Sequence, residues 1–273
     1  IPKEPIPKKP FFNHMAFPVF LSSLKDNLVF PVTAYLKENG FLGIVSYDYN
    51  KDDLFIASKS TNSGDYVEFI KVLLEPYKEK VLNILRTKYN ESNSRTFVFE
   101  CEDIENDPHI IKYENSKIVL LDSVWNTLEY KTDSYEDLIN IANEIGCPIK
   151  EKAYVIKDWS EFMELYNKMQ DKEYKYKDNY IEGFVFVDAT GFMTKCKTEY
   201  YNFWKNLRSV ADQTLRYGFL RRTGSLTDAT ENLFYGFCKK LYMSGGYDPT
   251  TKTYPFKTDI ISLREKFLEE QNK

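Results

Sequence analysis

Lys37 opens the segment Lys37-Glu38-Asn39-Gly40. A lysine amine attacks the α-phosphorus of a nucleoside triphosphate only when unprotonated, which calls for neighbouring cations or desolvation. A strand end beside a tight glycine turn offers such a place, although the same letters also write an ordinary exposed turn. One hairpin later, Ser58-Lys59-Ser60 brings a second cation to what reads as the same sheet edge, or simply a solvated lysine at a strand end. Glu100 lies in Thr96-Phe97-Val98-Phe99-Glu100-Cys101, where alternation puts both phenylalanines on one face and Val98 with Glu100 on the other. A carboxylate there needs a polar cleft, a partner or an edge open to water. Ile181-Glu182-Gly183-Phe184-Val185-Phe186 repeats the feature beside a glycine that lets a ligand or another backbone approach closely. Opposite it stands Lys195-Cys196-Lys197, its two lysines sharing a face by period two. Same-face lysines against a carboxylate suit a phosphate with a divalent ion, or a surface ion pair across strands.

These residues need strands to hold them. The pattern predicts strands over Val32–Leu36, Phe41–Tyr49 and Leu54–Ser58, read as a β-meander with Lys37 at a strand-to-turn junction. Apolar residues at helical spacing run from about Asp65 to Tyr89, and Pro76 should kink or split that helix. Strand patterns follow at Thr96–Cys101, His109–Tyr113 and Lys117–Val124, with short helices at Tyr135–Ile145 and Trp159–Met169. A hairpin pairs Tyr180–Val187 with Phe192–Thr198 around Asp188-Ala189-Thr190-Gly191. After Thr198 the sequence turns aromatic, basic and helical as far as Tyr242; Ser244-Gly245-Gly246 breaks it, and an amphipathic helix begins near Asp259. The fold class expected is α+β, a domain of antiparallel sheets with flanking helices over residues 11–200 and a small all-helical domain over 201–273. Residues 1–10, with four prolines and three lysines, read as an extended arm, and a further segment is expected upstream.

The chain has 273 residues, 42% hydrophobic and 16% aromatic, enough for one large domain or one plus a smaller partner. Lys and Arg number 37 against 41 Asp and Glu, for a net charge of -4, so nucleic acid could be held only by local patches. Four scattered cysteines and two histidines, His14 and His109, argue against a structural zinc site. No apolar run approaches the roughly 20 residues of a membrane helix. The expectation is a reduced, cytoplasmic, soluble protein with no membrane partner.

The order of these pieces over some 160 residues resembles the covalent nucleotidyltransferase superfamily of polynucleotide ligases and capping enzymes, whose domain is ATP-grasp-like. Within it the sequence is most similar to ATP-dependent RNA ligases of the phage T4 RNA ligase 1 and fungal tRNA ligase type. Pro10-Phe11-Phe12-Asn13 resembles their K-F-F-N element, Glu182-Gly183-Phe184-Val185 their motif IV, and Lys195-Cys196-Lys197-Thr198-Glu199-Tyr200-Tyr201 their motif V. The resemblance covers roughly Phe11 to Trp204. It implies that Lys37 becomes adenylylated, that Lys59 and Glu100 serve the nucleotide, that Glu182 assists metal and adenylate chemistry, and that Lys195 and Lys197 contact phosphates. ATP would be the substrate, with Mg²⁺ or Mn²⁺. Three positions depart from the pattern. Asn39 replaces the usual Asp of the phage-type enzymes, Phe41 replaces a small residue, and Pro10 stands in place of a lysine, with Lys8 or Lys9 as substitutes. The family's upstream Arg-Gly strand does not occur after Ile1.

Capping enzymes and DNA ligases append an OB-fold, many short strands, whereas Tyr200–Tyr242 reads as helix. Between Lys195 and Arg222, seven Lys and Arg oppose two acids, interleaved with Tyr200, Tyr201, Phe203, Trp204, Tyr217 and Phe219. Charge with aromatic platforms suits RNA ends, with Arg216, Arg221 and Arg222 as contacts; helix core is the other reading of the same rings. The partners implied are RNA 5′-phosphate and 3′-OH ends, of tRNA among others, and a kinase or phosphatase that heals ends. A module that keeps the fold and binds RNA without catalysis is the rival from another class.

Overall fold

The computed structural model describes residues 17–220, 226 and 228–272. The expected arm at 1–10, the Pro10–Asn13 element, His14, Arg221 and Arg222 lie outside the described residues.

Eight strands form two four-stranded antiparallel sheets. The first has the order β6-β1-β7-β8, from Lys152–Ile156, Val32–Lys37, Gly183–Val187 and Met193–Lys197. The second has the order β3-β2-β4-β5, from Asp53–Ser58, Phe41–Asp48, Arg95–Glu102 and Lys117–Trp125. Consecutive strands β1 and β2 therefore belong to different sheets, so the expected meander is corrected: only β2 and β3 form a hairpin there. The chain passes between sheets over Glu38-Asn39-Gly40. A Cβ on Gly40 would meet the Cys101 carbonyl oxygen at 2.1 Å, so the crossing runs directly against β4 and only glycine fits.

Each sheet buries its outer face under helices, and the cleft lies between the inner faces. Helices α2 (Asp65–Leu74), α3 (Lys78–Thr87) and α4 (Tyr135–Ile145) cover the second sheet around Phe97, Phe99 and Leu120. Pro76 sits in the 3-10 turn Glu75–Tyr77 and splits α2 from α3, since a proline lacks the N–H of a continuing helix. Helices α1 (Phe17–Asn27) and α5 (Trp159–Met169) pack on the first sheet around Leu24, Phe162, Phe184 and Phe186. A third core gathers α6 (Glu199–Tyr217), α7 (Ala229–Met243) and α8 (Ile260–Gln271). Two residues from far upstream, Ile110 and Ile111, are buried in it.

Two further expectations change, and two elements were not expected. The run His109–Tyr113 forms no strand; it is a loop whose amides bond to a side chain instead of a ladder. Strand β6 has no signal in the sequence, because this short edge strand is mostly exposed and does not alternate. Helix α1 is a further element beyond those the pattern predicts. Lys59 follows β3 on the second sheet, whereas Lys37 ends β1 on the first, so the two do not share an edge.

Candidate active site

Register assembles the site. Along β1, Tyr35 pairs with Val185 and Lys37 with Gly183, while on β8 Lys195 and Lys197 face the same two positions of β7. Gly183 has φ 152°, and a Cβ there would meet the Cys196 carbonyl oxygen at 2.1 Å. The glycine thus brings β7 and β8 together just where Glu182 turns in. Thr198 ends the hairpin and caps α6: its Oγ1 donates to the Ile181 carbonyl (2.8 Å) and accepts from the Tyr201 amide (3.2 Å).

Glu182 is the centre of this arrangement, 3% exposed. Its Oε1 lies 3.1 Å from Lys37 Nζ and 2.8 Å from Lys197 Nζ. Asn39 Nδ2 donates to Oε2 at 2.7 Å. A buried carboxylate is thereby surrounded by two cations and an amide, which offsets its desolvation. Lys37 Nζ also donates to the Glu38 carbonyl at 3.2 Å. From the opposite sheet, Glu100 Oε1 accepts the Gly40 amide at 2.9 Å, which ties the crossing segment to β4. Burial raises the pKa of Glu100, opposed by Lys37 and by the Gly40 N–H. Burial, then the ammonium groups of Lys197 and Lys37, pull Lys195 below the ordinary lysine range. Lys197 goes the other way: burial lowers it, but the bond and charge of Glu182 prevail and raise it. Lys59 is exposed and reaches this cluster only as a minor repulsion on Lys195.

A cavity of about 350 Å³ lies between the inner faces, lined by Lys37, Glu100 and Val185 at the lysine end and by Tyr35, Asp122 and Lys150 elsewhere. Its size and mainly apolar walls suit a nucleotide base and sugar. Lys150 pairs with Asp122 at 3.2 Å and stands 4.9 Å from the Tyr35 ring centroid. Sequence reasoning does not single out these three; Tyr35, on the Lys37 face of β1 by period two, is the one it could have found. A second cleft of about 520 Å³ also reaches Lys37 and Glu182 and takes in Tyr113, Tyr176 and Tyr180.

Behind Lys37 lies a buried acidic pair. Glu38 accepts from Tyr113 Oη at 3.2 Å, and the same Oη accepts the Asn39 amide at 2.8 Å. Burial, then the Glu38 carboxylate, push Glu102 up to about 9, although Lys117 lies 3.4 Å away. Nothing in the pattern announces Tyr113, which the sequence reads as strand.

The basic helical stretch divides. Tyr201, Phe203 and Trp204 are core, whereas Tyr217 and Phe219 are exposed at 41% and 53%. Arg216 is exposed at the end of α6, 5.9 Å from the Tyr217 ring centroid. His109 pairs with Asp107 at 3.0 Å. No group of three or more His, Cys, Asp or Glu gathers in metal-binding geometry among the described residues. None of their helices is long and apolar enough to cross a membrane.

A family model described as RNA ligase matches residues 9–201. No curated protein sequence matches the chain. Among solved structures, an apo variant of the Naegleria gruberi RNA ligase superposes with a TM-score of 0.53 at 12% identity, covering 68% of this chain and 55% of that one. Another variant of that enzyme, solved with ATP and Mn, gives 0.52 at 13%, over 66% and 53%. The chain thus spans little more than half the length of these structures, and at such identities the likeness is one of fold.

Proposed function

The chain belongs to the RNA ligase family, and from that premise we propose that it is an ATP-dependent enzyme joining RNA 5′-phosphate and 3′-OH ends through an adenylate on Lys37. The observation that carries the reading is the contact of Lys37 and Lys197 with one buried carboxylate oxygen of Glu182, together with the place of Lys37 in the lining of a nucleotide-sized cavity. In the first step Lys37 Nζ forms a bond to the α-phosphorus, the bond from that phosphorus to the bridging oxygen breaks, and pyrophosphate leaves. Glu182, already 3.1 Å from Nζ, is the nearest acceptor for the amine proton. Lys197 and Lys195 would hold the charge that develops on the phosphate oxygens. In the second step an oxygen of the RNA 5′-phosphate displaces Lys37 from the AMP phosphorus. In the third, the 3′-OH attacks the RNA phosphorus and AMP departs.

The cleft carboxylates fit a hard divalent ion held mainly by the triphosphate, since Mg²⁺ or Mn²⁺ there needs only one or two protein oxygens. Glu182 would supply one, and the ion would neutralise phosphate charge. Residues 11–200 are proposed as the catalytic domain and 201–273 as a helical RNA-holding domain. RNA repair, tRNA as a substrate, a kinase or phosphatase partner and cytoplasmic action belong to the same proposal.

Incubation with α-labelled ATP tests it. The wild type should take up an acid-labile label, and Lys37→Ala should take up none while remaining folded. If the wild type stays unlabelled with either metal, the enzyme reading is wrong and a non-catalytic RNA-binding module replaces it.

A further inference from the structure

Arg264, in α8 of the C-terminal helices, is 6% exposed. Among the described residues no carboxylate pairs with it. Its charge lies 5.6 Å and 5.4 Å from the ring centroids of Tyr200 and Trp204, and Nη1 donates to the Ile110 carbonyl at 2.9 Å. A buried guanidinium without a counter-ion is costly, so a position that keeps one invites a functional account.

The bond to Ile110 continues. The amides of Ile110 and Ile111 both donate to Asn39 Oδ1, at 2.9 Å and 3.0 Å. Asn39 Nδ2 donates to Glu182 Oε2 at 2.7 Å, and Glu182 Oε1 faces Lys37 at 3.1 Å. Every link except Lys37 is buried. An amide is the side chain this link needs, because it accepts from two backbone N–H groups and donates to a carboxylate.

We propose that Arg264 is a positioning residue for Lys37, acting from α8 through the Ile110–Asn39–Glu182 hydrogen-bond chain. The helical part of the molecule thereby sets the nucleophile's orientation as well as any hold on RNA. The inference rests on the proposed adenylylation of Lys37.

The test is single-turnover adenylylation with ATP and Mn²⁺, combined with backbone amide exchange. Arg264→Met should slow adenylylation about tenfold at saturating ATP while leaving ATP affinity within about twofold, because misorientation costs rate rather than binding. Arg264→Lys, which can still donate to the Ile110 carbonyl, should restore most of the rate. Combined with Asn39→Ala, Arg264→Met should add little to the loss from Asn39→Ala alone, since both break one chain. Fully additive losses, or a wild-type rate in Arg264→Met, would overturn the proposal. Amide exchange separates this from failure of the ligase reading: Arg264→Met should speed exchange at Ile110 and Ile111 by about tenfold or more and leave α4 unchanged, whether or not the protein takes up AMP. Unchanged exchange at both isoleucines would also sink it. Should Arg264→Met not fold, Arg264→Gln, polar but too short to reach the Ile110 carbonyl, takes its place with the same expected loss of rate and the same faster exchange, and wild-type values of both would overturn the proposal.

Discussion

Glu182 receives three donors, so its variants distinguish the roles of its partners. Glu182→Ala should leave Lys37, Lys197 and Asn39 without their common acceptor and slow adenylylation by at least about a hundredfold. Lys195→Ala should slow it about tenfold, measured as label uptake against time, because Lys195 forms no ion pair with Glu182 at bonding distance. Equal losses in the two variants would remove Glu182 from its central place. Glu102 gives a prediction about pH. A carboxyl whose folded pKa is raised favours the native state below its unfolded value, and that contribution is lost as pH rises from about 4.5 toward about 9. Glu102→Gln should therefore stabilise the fold at pH near 8, by about 1–2 kcal/mol, and the gain should fade toward pH near 5. Urea titrations at the two pH values check it; a gain independent of pH contradicts it.

Among the elements, the β7–β8 hairpin depends on Asp188 as much as on its ladder. Asp188 Oδ1 accepts from the Thr190 and Phe192 amides at 2.8 Å and 2.9 Å, and Oδ2 from the Val29 amide at 3.1 Å. The turn is thereby fastened to the entry of β1, and with it Lys197 to Lys37. Although burial opposes it, the Thr190 hydroxyl, which donates to Oδ1 at 2.7 Å, and then these amides lower the Asp188 pKa. Asp188→Ala should cost about 2–3 kcal/mol near pH 7, a penalty that shrinks as pH falls below about 3.8 and the wild-type carboxyl is protonated. Thermal melts over that range measure it, and a pH-independent penalty would contradict the assignment. Helices α4 and α5 and the late hairpin were legible in the sequence because period, caps and turn residues agreed. The pairing of β1 with β6 and β7 was not, since nothing local distinguishes a strand that leaves its neighbour for another sheet. The same limit hid what the Asn39 side chain does: its three partners come from positions 110, 111 and 182, and no spacing rule joins them. Lys37, Glu100, Glu182 and Lys197 stood out in the sequence through the collinear order of a Gly-turn lysine, strand acids and a same-face lysine pair, and the structure brings them to one cleft.

For the molecule as a whole, a net charge of -4 makes any hold on RNA a matter of position. Arg216 is exposed at the end of α6, with Arg221 and Arg222 following in sequence. Replacing all three with Gln should weaken binding to single-stranded RNA and reduce the slope of log affinity against log salt by about 0.7 for each phosphate that is no longer engaged. Uptake of AMP by Lys37 should survive, because the cavity proposed for the nucleotide is lined, among the described residues, by the sheets and not by Arg216. An unchanged slope in a folded variant would move RNA binding to the cleft. The division of strands between the sheets also orders the molecule in time. The second sheet draws on one continuous stretch, 41–125, whereas β1 must wait for β6, β7 and β8, more than a hundred residues later. Long loops close late, so the strand carrying Lys37 should remain unpaired during synthesis and early refolding, after β2 to β5 have joined. Pulse-labelled amide exchange during refolding should protect Val45 and Phe99 before Ala34 and Phe186, and simultaneous protection would contradict this order. The lysine nearest the start of the described strands would then be among the last groups to reach its place.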